Sequence, residues 1–86
     1  MPEVSRFYGI IIRIYFADHN PPHFHAYYGD ESAEIDINRL TLLAGQMPPR
    51  AQAMVLEWAA LHQTELLAEF LAAQQSQPIH KIDPLP

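Results

Sequence analysis

The chain has 86 residues, no cysteine, and ten acidic against five basic side chains, for a net charge of −5. So short a chain makes one domain with a thin stability margin, because it buries only about 60–65% of its unfolded surface. The missing cysteine excludes disulfides, thiolate zinc centres and thiol catalysis and fits a reducing compartment, while the acidic balance disfavours nucleic-acid phosphates, which need a basic surface.

The first residues, Met1-Pro2-Glu3, are acidic rather than basic, and the apolar run from Gly9 to Phe16 is short and carries Arg13. Neither a signal peptide nor a membrane span of roughly 18 apolar residues is expected, and the reading is a cytoplasmic protein. FYGIIIRIYF, residues 7–16, is rich in β-branched and aromatic side chains and predicts one strand, with Tyr8, Ile10, Ile12, Ile14 and Phe16 on its core face. ADHNPP breaks the pattern with turn formers. HFHAYY (23–28) alternates again, Gly29-Asp30 signals a hairpin turn, and SAEIDIN (32–38) alternates after it. Leu40–Leu43 is a candidate fourth strand.

Pro48-Pro49 suits the start of a helix, where a missing N–H costs nothing. Residues 50–75 are rich in Ala, Leu, Glu and Gln, all good helix formers. One uninterrupted helix would run about 40 Å, longer than the sheet. The apolar stripe through Ala51, Met54, Val55, Trp58, Leu61 and His62 would also place Glu65 and Glu69 on the core face. A kink or break is therefore expected at His62-Gln63-Thr64, with Thr64 as N-cap. Trp58 reads as core, and His62 as a satisfied buried histidine rather than a ligand. The tail QPIHKIDPLP should be extended and dock through Ile79 and Ile82. The expected architecture is α+β. A three- to four-stranded antiparallel meander (about 6–44) precedes a kinked helix or two helices (about 48–75) packed on one sheet face, and an extended tail (76–86) completes a single domain.

With a two-residue Gly29-Asp30 turn, Phe24 opposes Ile35 and Ala26 opposes Ala33, while His25 opposes Glu34 and His23 opposes Asp36. Slipping by one would set Phe24 against Asp36, which burial forbids. Extending the register to the first strand places Tyr15 near His25 and Arg13 near Tyr27. The face that the helices leave open then displays Arg13, Tyr15, His23, His25, Tyr27, Glu34 and Asp36.

Three chemistries fit this face. His-x-His on a strand aims two imidazoles the same way, so His23 and His25 with Glu34 or Asp36, and His19 reaching in from the loop, make a candidate site for a divalent metal such as zinc. No other cofactor is expected, and no HExxH helix accompanies the histidines. His19, His23 or His25 as proton carriers, with Arg13 steadying a phosphate, would make a histidine-based hydrolase such as an RNase, although no activated nucleophile or glycine-rich loop is present. The leading reading is an interaction surface through Arg13, Tyr15, His23, His25 and Tyr27, because Tyr and Arg favour interfaces. The partner would be a second copy of the chain or another protein.

Gly9-Ile10, Tyr15-Phe16, Asp18-His19, the run Pro21-Pro22-His23-Phe24-His25-Ala26, and Gly29 resemble an uncharacterised bacterial family, domain of unknown function 4160. Pro48, Trp58, His62, Glu65-Leu66, Ile82 and Pro84-Leu85 are similar as well, so the resemblance covers nearly the whole chain. It implies no established activity and no catalytic residues. Its members often stand beside a second small gene, in arrangements like toxin–antitoxin modules. That implies a protein partner encoded nearby, and a toxin role as one option.

Overall fold

The computed structural model describes residues 2–86. Five strands, β1 (Glu3–Phe7), β2 (Ile10–Arg13), β3 (His23–Tyr28), β4 (Glu31–Asp36) and β5 (Leu42–Gly45), form one antiparallel sheet in sequence order. Two helices follow, α1 (Pro49–Leu61) and α2 (Gln63–Gln74). The α+β architecture is the expected one, but the sheet has five strands rather than three or four.

The extra strand comes from the first apolar run, which is not one strand. Tyr8 and Gly9 both take positive φ, 49° and 81°, and close a two-residue hairpin in which Phe7 faces Ile10. Such mirror-image turns match the strand twist and tolerate glycine best. Ile10, Ile12 and Ile14 are fully buried, as their alternation requires. Tyr8 and Phe16, expected on the same face, are exposed, because one forms the turn and the other lies beyond β2.

The β3–β4 hairpin has the expected register, His23 opposite Asp36 and His25 opposite Glu34. The β2–β3 register is two residues away from the expected one: Arg13 opposes His25, and Ile11 opposes Tyr27. A shift of two keeps every side chain on its face, so the composition of each face is unchanged.

Pro49 opens α1, and the helical stretch breaks at His62 (φ −122°, ψ 24°). Thr64 is not the cap; it lies inside α2, while His62 holds the N-cap position. His62 Nδ1 lies 2.6 Å from the Glu65 carboxylate three residues on, a contact that also places an acid at the positive end of α2. The Gln63 amide fixes the joint by donating to the carbonyls of Ile37 (2.7 Å) and Asn38 (3.0 Å). Leu61, assigned to the apolar stripe, is exposed at this joint.

Both helices cover one sheet face. Val55, Trp58, Leu66 and Phe70 are fully buried with Ile10, Ile12, Phe24 and Ile35. Trp58 packs on Phe7 and Phe24, with ring centroids 5.4 and 5.8 Å away. The extended tail docks as expected: Ile82 is buried, its N–H donates to the Val4 carbonyl at 2.7 Å, and Trp58 Nε1 donates to the Asp83 carbonyl at 2.8 Å. No helix among the described residues is long and apolar enough to cross a membrane.

Candidate functional site

Between β2 and β3 the chain leaves the sheet and returns through a loop that includes a cis Asn20-Pro21 bond. The end of α2 holds this loop in place. The Ala17 N–H donates to the Ala73 carbonyl at 3.0 Å, and the Gln74 amide donates to the Asp18 carbonyl (3.3 Å) and to Asn20 Oδ1 (3.2 Å). On the β4 side, the Ile37 N–H donates to the Pro22 carbonyl at 3.0 Å. Fixed at both sides, the loop folds over one end of the helix-free sheet face and carries Asp18 to the strand histidines.

His23 is 3% exposed and packs near Phe70, with ring centroids 5.5 Å apart. Its Nδ1 lies 2.7 Å from the Pro21 carbonyl. A carbonyl only accepts, so Nδ1 carries the hydrogen and donates it. The other nitrogen, Nε2, lies 3.0 Å from Asp18 Oδ2. His25 Nε2 lies 3.3 Å from the same oxygen. Two imidazoles thus aim one nitrogen each at a single carboxylate oxygen. Asp18 Oδ1 meanwhile accepts from the His19 N–H at 2.9 Å. Burial works against ionising Asp18, but the hydrogen bonds from His25 and from the His19 amide, with the fields of His23 and His25, outweigh it and hold the carboxyl below its ordinary range. The ligand atoms of Asp18, His23 and His25 all lie within 4.8 Å of one another, close enough to hold one metal ion.

Next to this cluster lies a half-exposed aromatic surface. The Tyr15 and Tyr27 hydroxyls are 2.6 Å apart, the Arg13 guanidinium sits 5.0 Å from the Tyr27 ring centroid, and the Tyr15 ring meets His25 edge-on at 4.7 Å. Burial first, and the Tyr15 hydroxyl second, push the Tyr27 phenol up to about 12, against the opposing pull of Arg13. Arg13 Nε is buried without a hydrogen-bond partner. Glu3, which opposes Arg13 across β1–β2, is engaged by Arg6 at 2.8 Å.

Residues 9–70 match the family described as Domain of unknown function (DUF4160). The chain belongs to this family. The matched segment of the DUF4160 domain contains the whole loop, β2 to β5 and α1, and reaches Phe70 behind His23. No curated protein and no solved structure matches the chain.

Of the residues singled out from sequence, the DUF4160 fold brings Arg13, Tyr15, His25 and Tyr27 onto one partly exposed surface. His23 adjoins them but lies beneath the loop, buried rather than displayed. Glu34 stays near, with Oε1 3.7 Å from His23 Nε2. Asp36 does not join them, although it opposes His23 in register. Its Oδ1 accepts from the Asn38 and Arg39 N–H groups at 2.8 and 2.9 Å, so this carboxylate caps the turn after β4. His19 is on the outside, its side chain 89% exposed. Sequence reasoning missed Asp18 as a site residue, taking it as a turn former and as part of the Asp18-His19 pair in the family resemblance. Its signals were its place in the same short run as the histidines and its share in that resemblance.

Proposed function

We propose that this protein is a small cytoplasmic protein-binding domain, one component of a toxin–antitoxin-like pair, that holds its partner through the surface of Arg13, Tyr15, His25 and Tyr27. The observation that carries the reading is Arg13. Its guanidinium is held over the Tyr27 ring, has no ion-pair partner among the described residues, and keeps a buried Nε without an acceptor. An arginine held over one of two hydrogen-bonded tyrosines, with no close ion pair, matches the composition of interface anchors, where Arg and Tyr contribute most. Little ordering cost remains, because the aromatic pair is already fixed. The partner's matching feature is an acidic side chain set beside an apolar contact. The test is co-purification with the product of the adjacent gene, each protein purified separately and then mixed. A stable complex that is weakened at least tenfold by Tyr27→Ala or Arg13→Gln supports the reading. Failure to associate, or association indifferent to both substitutions, removes it.

A second reading, a histidine-based or metal-dependent hydrolase acting on RNA, draws on the convergence of His23 and His25 on Asp18 beside Arg13. Cleavage of RNA by the purified chain that disappears in His25→Ala would favour it over the binding reading.

A further inference from the structure

We propose that Asp18, His23 and His25 form a binding site for one divalent transition-metal ion, best suited to zinc, with a fourth coordination position open beside Glu34. The site does not depend on either functional reading above.

The spacing of the donor atoms is the first ground. Two ligands that each lie about 2.0–2.1 Å from a common zinc, at angles between square and tetrahedral, are about 2.8–3.4 Å apart. The distances from Asp18 Oδ2 to the two Nε2 atoms, 3.0 and 3.3 Å, fall within that interval.

The second ground is orientation. His23 donates its Nδ1 hydrogen to the Pro21 carbonyl, which leaves Nε2 aimed at Asp18. Metal-bound histidines are oriented in this way, with the distal N–H held by a carbonyl or carboxylate. With its Nδ1 hydrogen held by Pro21, His23 Nε2 can meet the Asp18 carboxylate either as the second N–H of an imidazolium or as a ligand to a shared metal ion. His25 can donate to Asp18 from Nε2 as a neutral ring, so only His23 needs a second proton for hydrogen bonding alone to join all three groups. A metal ion satisfies both imidazoles and the carboxylate together.

An ordinary cross-strand polar pair does not account for this arrangement. The carboxylates directly opposite His23 and His25 are Asp36 and Glu34, yet both imidazoles meet an acid from a loop that is anchored by α2. His23 is buried, so the more open approach to the donor set is beside His25 and Glu34, both of which are less buried. A shallow depression of about 80 Å³ lined by His25, Glu34, Ala44 and Gly45 opens there. The donor set, two imidazole nitrogens and one carboxylate, selects zinc and its neighbours over magnesium and calcium, which favour all-oxygen shells.

The full chain, purified without an affinity tag and stripped with a chelator, is titrated with zinc while bound metal and melting temperature are measured. The expected result is one zinc per chain, with a melting rise of roughly 10 °C or more at a hundredfold excess over Kd. Magnesium should give no rise. Asp18→Asn and His25→Gln should each abolish the rise while melting near the wild type without metal. His62→Gln, which alters the separate His62–Glu65 contact, should keep it. Absence of stoichiometric binding, an equal shift with magnesium, or a zinc shift retained in both Asp18→Asn and His25→Gln would overturn the assignment.

Discussion

Gly45 sits at φ +77° where a β-carbon would run into the Ser32 carbonyl oxygen and come within 2.9 Å of the Ala33 Cα. Both obstacles are backbone, so Gly45→Ala should destabilise the fold by about 2–4 kcal/mol in urea unfolding; a loss below about 0.5 kcal/mol would mean that β5 does not approach β4 this closely. Tyr27 makes a different prediction. Burial and the Tyr15 hydroxyl raise its phenol to about 12, so the folded state keeps this proton longer than the unfolded chain, whose tyrosines titrate near 10. The resulting stability is complete below about pH 10 and is lost as pH rises through about 12. Phenolate absorbance should show one late tyrosine, and Tyr15→Phe should bring it earlier. If all tyrosines ionise together, the Tyr15–Tyr27 contact is absent. At this scale the strand histidines were legible, because HFHAYY alternates and its register against SAEIDIN has one solution that pairs apolar with apolar. Asp18 was not legible. What brings it to them is the tether from Gln74, 56 residues further along the chain, which no local pattern encodes.

Among the elements, the joint at His62 could be read directly, since a continuous helix would have buried Glu65 and Glu69. What occupies the cap could not be read, because Thr64 has the better intrinsic preference and the tertiary contact of Gln63 with the β4–β5 turn decided the position. Gln63→Ala should therefore cost about 1–2 kcal/mol, through two carbonyls that lose their donor; an unchanged urea midpoint would show that the joint is set by packing alone. The β1–β2 hairpin was concealed inside a run of β-branched residues, where Tyr8-Gly9 lacks the Asn or Asp that usually marks such turns. The tail was expected to dock through Ile79 and Ile82, and what sequence did not show is its anchor. Trp58→Phe keeps an aromatic ring in the core but removes the N–H that holds the Asp83 carbonyl. Amide exchange at Ile82 should accelerate in that variant while exchange in β3 stays slow. Equal protection at both would assign the tail's position to the Ile82 side chain instead.

For the whole molecule, five strands and two helices place nearly all the large apolar side chains on one side of the sheet, and the opposite side is left with a different composition. There an arginine, two tyrosines and a histidine lie beside a loop pinned by α2. The chain's acidic total gave no hint of this surface, because one fixed cation is small against ten carboxylates. The two proposals meet at this point. A metal ion on Asp18 and His25 would stiffen the loop and, through the edge-on contact of His25 with Tyr15, the aromatic pair beside Arg13. The central claim is that this helix-free surface is where the protein meets its partner. Its most direct test is NMR titration of the labelled chain with the unlabelled product of the adjacent gene. Shifts concentrated at Arg13, Tyr15, His25 and Tyr27, with Leu61 and Leu71 on the helices unaffected, are predicted. Shifts confined to the helices, or none at saturating partner, would contradict the account.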